Sequence, residues 1–190
     1  MVAALVVLGG PRRARALAPG PDGWIATGQG IRTVTLFKVK VCTVYHEMKS
    51  VPAAAPDRSA ASIWALKDAV VDRDTDKRAR LVMMRDVDPS RIRASFGEAY
   101  DNNGYAGTPE RMANRATFLS ALAGDLKEGD TIVVSYDAAA KRTTLTAPGG
   151  RAASVGGLEF MKATWRIWFG RGAEQVDLGD QMVANLLPHG

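Results

Sequence analysis

The run Thr33–Tyr45, TVTLFKVKVCTVY, limits the folds open to this chain more than any other stretch. It is rich in β-branched residues and holds neither proline nor glycine, so it predicts one long strand. Alternation sets Phe37, Val39, Val41, Thr43 and Tyr45 on one face. Val34, Leu36, Lys38, Lys40, Cys42 and Val44 take the other. Neither face is plainly wet, which predicts a central strand with a layer or a cleft on both sides.

The elements that follow are short. Ser62–Val71 has mixed character, a strand edge or a short helix, and Ala79–Arg85 reads as a second strand. Asp88-Pro89 predicts a helix start, an acceptor at the cap followed by a proline where no amide partner is needed. Ile92, Phe96 and Ala99 give that helix its apolar stripe, and it should end before Asn102-Asn103-Gly104. Thr108-Pro109 repeats the device, with Met112, Ala116, Leu119 and Ala123 along the next helix. A hairpin should pair Thr131–Tyr136 with Arg142–Thr146. A third helix, about Leu158–Phe169, places Leu158, Met161, Trp165, Trp168 and Phe169 near one face, and a last one runs from Asp177 to Leu186. Strands, two adjacent helices, a hairpin and terminal helices do not alternate as in a doubly wound sheet. The order predicts an α+β fold, an antiparallel sheet with helices on one face.

A chain of 190 residues is long enough for one domain with a substantial core. Its boundaries are expected at residues 24–187, after a leader of residues 1–23 and before a tail of residues 188–190. The leader has an apolar run, Val2–Leu8, but its positive charges follow that run, the reverse of a secretory signal. Cytoplasmic residence and export to the periplasm both remain open. No stretch reaches the roughly 18 apolar residues that a membrane-crossing helix needs. Arg12, Arg13 and Arg15 carry three of the net +5 charges, and the remaining balance gives no basis for nucleic-acid binding. In Asp72–Arg78 acids and bases alternate, the pattern of a solvated surface.

Catalytic chemistry is thinly supplied. His46 and His189 are the only histidines, without ligand spacing, so no metal and no cofactor is expected. Cys42, the single cysteine, excludes an internal disulfide framework and reads as a buried strand residue. Gly28-Gln29-Gly30 precedes a strand instead of a helix, the wrong setting for a dinucleotide. The sharper signal is cationic: Arg32, Lys38 and Lys40 enter or lie on an apolar strand. Their charges must snorkel, pair with acids or meet an anionic ligand. Arg32 is the best candidate, because its planar fork holds a carboxylate with two hydrogen bonds. Tyr105, between glycines before a helix, is either a surface aromatic or a hydroxyl reaching a cleft.

Several of these residues together resemble a known family. Gly30-Ile31-Arg32-Thr33 with Phe37–Tyr45, then Arg80–Val87, then Lys127–Asp130, then Phe160 with Arg166–Gly170, resemble in order and spacing the chalcone isomerase-like proteins of bacteria. That resemblance implies a chalcone-isomerase-like open-faced sandwich, a large antiparallel sheet against a layer of helices with a ligand cleft between. The family's plant enzymes are cofactor-independent intramolecular lyases that close a chalcone into a flavanone, and non-catalytic relatives bind fatty acids. By resemblance Arg32 matches the cleft arginine, and Lys40 falls where the enzymes use a threonine. Tyr105 and Asn114 match the cleft tyrosine and asparagine, and Ile167 stands in place of a late-helix threonine. Loss of two polar contacts favours holding a ligand over converting it.

The first expectation is therefore non-catalytic binding of a small apolar carboxylate such as a fatty acid, with Arg32 on the head and Lys40, Tyr105, Asn114 and Ile167 around it. The alternative is an isomerase in which Arg32 stabilises an enolate and Tyr105 assists proton transfer. A third is a cleft filled by side chains and kept for protein contacts.

Overall fold

A computed structural model describes residues 17–34, 39–105 and 107–188. Among the described residues six strands form one sheet: β1 Ile25–Val34, β2 Val39–Met48, β3 Lys77–Met83, β4 Thr131–Asp137, β5 Arg142–Thr146 and β6 Ala152–Gly156. They lie in sequence order, every neighbouring pair antiparallel. Five helices among the same described residues accompany them: α1 Ala60–Asp72, α2 Pro89–Asn102, α3 Pro109–Leu119, α4 Leu158–Phe169 and α5 Val176–Met182, with a 3-10 turn over Ala184–Leu186.

The single long strand expected over Thr33–Tyr45 is instead parts of two. Val34 pairs with Val39, so the chain reverses between them. No glycine, proline or asparagine marks that reversal, which is why local composition read straight through it. Phe37 and Lys38 lie outside the described residues. β6 was also missed, because five residues of AASVG carry little strand propensity and gain their order by pairing with β5.

Helix starts follow their capping chemistry. Asp88 accepts from the Ser90 amide at 2.7 Å with Pro89 next, and Thr108 accepts from the Arg111 amide at 3.2 Å with Pro109 next. Ser59 caps α1 in the same way, which decides the ambiguous Ser62–Val71 segment as helix. Of the stripe expected on α3 only Leu119 faces inward, beside Phe118; Met112 is 54% exposed, and Ala116 and Ala123 are exposed as well. Its buried residues lie at its C-terminal end.

Helices cover one face of the sheet. The covered face buries Cys42, Val44 and Met48 of β2, Leu81 of β3 and Val134 of β4 against Trp165, Trp168 and Phe169 of α4. Thr43, Tyr45, Arg80 and Val82 stand half-exposed on the opposite face. α5 runs close along β1, and the glycines allow it. A Cβ on Gly28 would sit 2.3 Å from the Gln181 carbonyl oxygen, and one on Gly30 2.6 Å from Leu178. The pair Gly28 and Gly30 is thus a packing device.

Three buried polar groups are each satisfied. His46 is fully buried, with Trp165 Nε1 at 2.9 Å and Thr27 Oγ1 at 2.6 Å from its ring nitrogens. Lys67 reaches Asp180 at 2.9 Å and ties α1 to α5. Lys77 corrects the view of Asp72–Arg78 as a wholly solvated stretch. It is fully buried, and its ammonium donates to the Val70 and Val71 carbonyls at 2.8 and 3.0 Å, closing the C-terminal end of α1.

Candidate functional site

The site begins with an irregularity in the sheet. Arg32 pairs with Cys42 but Thr33 pairs with Lys40, so Val41 is an extra residue on β2. Such a bulge re-aims side chains. Here Val41 and Cys42, consecutive on the strand, are both buried, where strict alternation would expose one.

Above the bulge lies α2. Asp88, Arg91, Ile92 and Ser95 fall at spacings of three and four, on one face of its first two turns. Between this face, the β3–α2 connection and the β1–β2 end lies a cavity of about 400 Å³. Its walls include Arg32, Val39, Val41, Val87, Ile92 and Ser95, with Arg85, Asp86, Asp88 and Arg91 around it. The volume is within the range of small-ligand pockets, roughly 300–1,000 Å³.

Arg32 is the charged group set deepest in this wall, with its side chain 15% exposed. Its Nη2 donates to Ser95 Oγ at 2.7 Å and to Glu174 Oε2 at 2.6 Å. Nε and Nη1 have no protein acceptor among the described residues. Asp86 and Asp88 do not compete for it. Asp86 accepts from Lys127 and the Glu128 amide, and Asp88 caps α2; these donors hold both carboxyls below the usual range. Arg85 and Arg91 are exposed and make no ion pair with any described residue. Cys42 lies behind Arg32, and burial raises its thiol to about 11, so it is an inert apolar residue here.

Of the five residues singled out from sequence, Arg32 alone lines the cavity. Lys40 is exposed on β2, and Ile167 is buried within α4. Tyr105 is 6% exposed, its ring 5.5 Å from Tyr100 and 5.6 Å from Phe160, so it is neither a surface aromatic nor part of the Arg32 cavity. Burial raises its phenol, and the nearby Asn114 side chain opposes that shift. Tyr105 and Asn114 therefore meet each other, at an aromatic cluster that also holds Phe118.

Ser95 and Glu174 were not anticipated. Ser95 had a readable signal, since it continues the Asp88–Arg91–Ile92 spacing. Glu174 had none, because 142 residues separate it from Arg32.

A model of the family described as chalcone isomerase-like matches residues 25–184. The chain belongs to the chalcone isomerase-like family. No curated protein matches it in sequence. Among solved structures it is similar to the fatty-acid binding protein of Arabidopsis thaliana, at 14% identity and a TM-score of 0.66, over 89% of this chain and 91% of that one. At that identity the likeness concerns the fold. A chalcone isomerase-like sheet under one layer of helices is what both share.

Proposed function

We propose that this chalcone isomerase-like protein binds a small apolar carboxylate, such as a fatty acid, without converting it. The observation that carries this reading is Arg32 itself. Its guanidinium stands in the wall of a cavity shared with Val39, Val41, Val87 and Ile92, with Nε and Nη1 bonded to no acceptor among the described residues. A partly desolvated cation attracts an anion more strongly than it would in water, while valine and isoleucine side chains favour a hydrocarbon tail. The structural neighbour's description as a fatty-acid binding protein adds support.

Decanoate titrated by calorimetry tests the proposal. Charge-assisted bonds to a guanidinium are worth about 1.5–3 kcal/mol, so Arg32→Ala should weaken decanoate roughly ten- to hundredfold. Tyr105→Phe should leave it within about twofold, because Tyr105 does not line the cavity. Unchanged affinity in Arg32→Ala would refute the anchor.

The isomerase reading draws less support. Tyr105, its implied proton-transfer group, does not line the Arg32 cavity, and Cys42 remains a thiol. A chalcone's absorbance should decay no faster with the protein than without it. Stereoselective, Arg32-dependent loss of the enone would reverse that conclusion.

A further inference from the structure

The contact between Arg32 and Glu174 is more than a surface ion pair. A guanidinium offers a carboxylate two parallel hydrogen bonds along either of two edges, Nε with Nη2 or Nη1 with Nη2. Both edges include Nη2, and both Nη2 hydrogens are used, one on Ser95 and one on Glu174. A ligand carboxylate therefore gains the bidentate grip only by displacing one of them.

Glu174 is the displaceable one. Its side chain is 48% exposed, so it returns to water at low cost. The loop that carries it is fastened separately by its neighbour. Gln175 accepts from the Thr33 amide at 2.9 Å and donates to the Ile31 carbonyl at 3.1 Å, pairing with the β1 edge on either side of Arg32. Glu174 can thus leave Arg32 while the backbone stays docked.

We propose that Glu174 is an exchangeable internal counter-ion, occupying the place on Arg32 that a ligand's carboxylate takes. The inference rests on the binding function assigned to this cavity and adds a residue that sets its affinity and its preference for acids. A tethered carboxylate competes at a local concentration far above that of free ligand, so it sets the affinity an incoming acid must exceed. Neutral amphiphiles, which do not contest Arg32, are indifferent to it.

Decanoate and decanol titrated into the wild type, Glu174→Gln, Asp177→Asn and the Arg32→Ala/Glu174→Gln pair test this. Glu174→Gln keeps the size of the side chain and removes its charge. It should tighten decanoate about tenfold, persisting in 0.5 M NaCl, with decanol unchanged. Asp177→Asn removes an exposed charge three residues away and should change decanoate less than twofold. Without Arg32 the gain from Glu174→Gln should vanish. Methyl NMR signals of Val41 and Ile92 report occupancy of the cavity independently of affinity. If decanoate shifts them in the wild type while Glu174→Gln binds it equally or more weakly, the counter-ion role is overturned and the site stands. An equal gain from Asp177→Asn would also overturn it, as a general field effect. If decanoate leaves those signals unmoved in both wild type and Glu174→Gln, the binding site itself fails and the inference falls with it.

Discussion

Trp165 donates its indole hydrogen to Nε2 of His46 across 2.9 Å, and that one bond fixes the protonation of a buried chain of groups. An indole N–H only donates, so Nε2 accepts and the imidazole proton sits on Nδ1. Nδ1 then donates to Thr27 Oγ1 at 2.6 Å, and the hydroxyl donates onward to the Met182 carbonyl at 2.8 Å. Strand β1, strand β2, helix α4 and the end of α5 are joined through it.

Acid should therefore dissolve this junction. Burial first, and then the charge of Lys77, lowers His46 from 6.5 to about 3. Between those values the unfolded chain binds a proton that the folded protein refuses, so stability falls as pH falls from 6.5 toward 3. The slope from this group reaches about 1.4 kcal/mol per pH unit. NMR titration of the His46 ring should find it neutral at pH 5, and a midpoint near 6.5 would contradict the network.

Lys77 predicts a different window. Burial lowers its ammonium from 10.5 to about 7, opposed by Asp72 and Asp74 and reinforced by Lys162. Between 7 and 10.5 the unfolded chain holds the extra proton, so stability from this group rises with pH across that range and is level below 7. The stability of the wild type relative to Lys77→Met, measured by urea unfolding, should rise from pH 7 to pH 10. A constant difference would mean that the buried ammonium titrates normally.

Much of the architecture was legible because it rests on local chemistry. The Asp88-Pro89 and Thr108-Pro109 caps and the aromatic stripe of α4 specify their elements within a few residues. The β1–β2 reversal and β6 were not legible, since each depends on strand pairing and carries no turn or propensity signal of its own. Lys77 was hidden for a related reason: alternation of charges around it reads as surface, and only the carbonyls at the end of α1 explain its burial. Arg32 was legible as a cation on an apolar strand. Ser95 was partly so through its spacing, whereas Glu174 and the bulge at Val41 belong to tertiary contacts.

Gly28 should tolerate no side chain. The Cβ of Gly28→Ala would approach the Gln181 carbonyl oxygen to 2.3 Å, against backbone that cannot swing aside. A loss of about 1–3 kcal/mol is expected in thermal or denaturant unfolding. Hydrogen exchange should rise in α5 before it rises in β3 and β4.

Arg85 and Arg91 should act on arrival more than on retention. Exposed and without ion pairs to described residues, they raise the local potential at the cavity. Arg85→Ala should slow decanoate association a few-fold at low salt, with little change at 0.5 M NaCl. Stopped-flow fluorescence at two ionic strengths measures this, and a salt-independent loss would assign Arg85 to direct contact.

Where the hydrocarbon chain lies decides the central claim most directly. Intermolecular NOEs from decanoate to a methyl-labelled protein should connect the chain methylenes to Val39, Val41 and Ile92, with the carboxylate end nearest Arg32. NOEs confined to the Tyr105–Phe160 cluster, or none at saturating decanoate, would contradict the account.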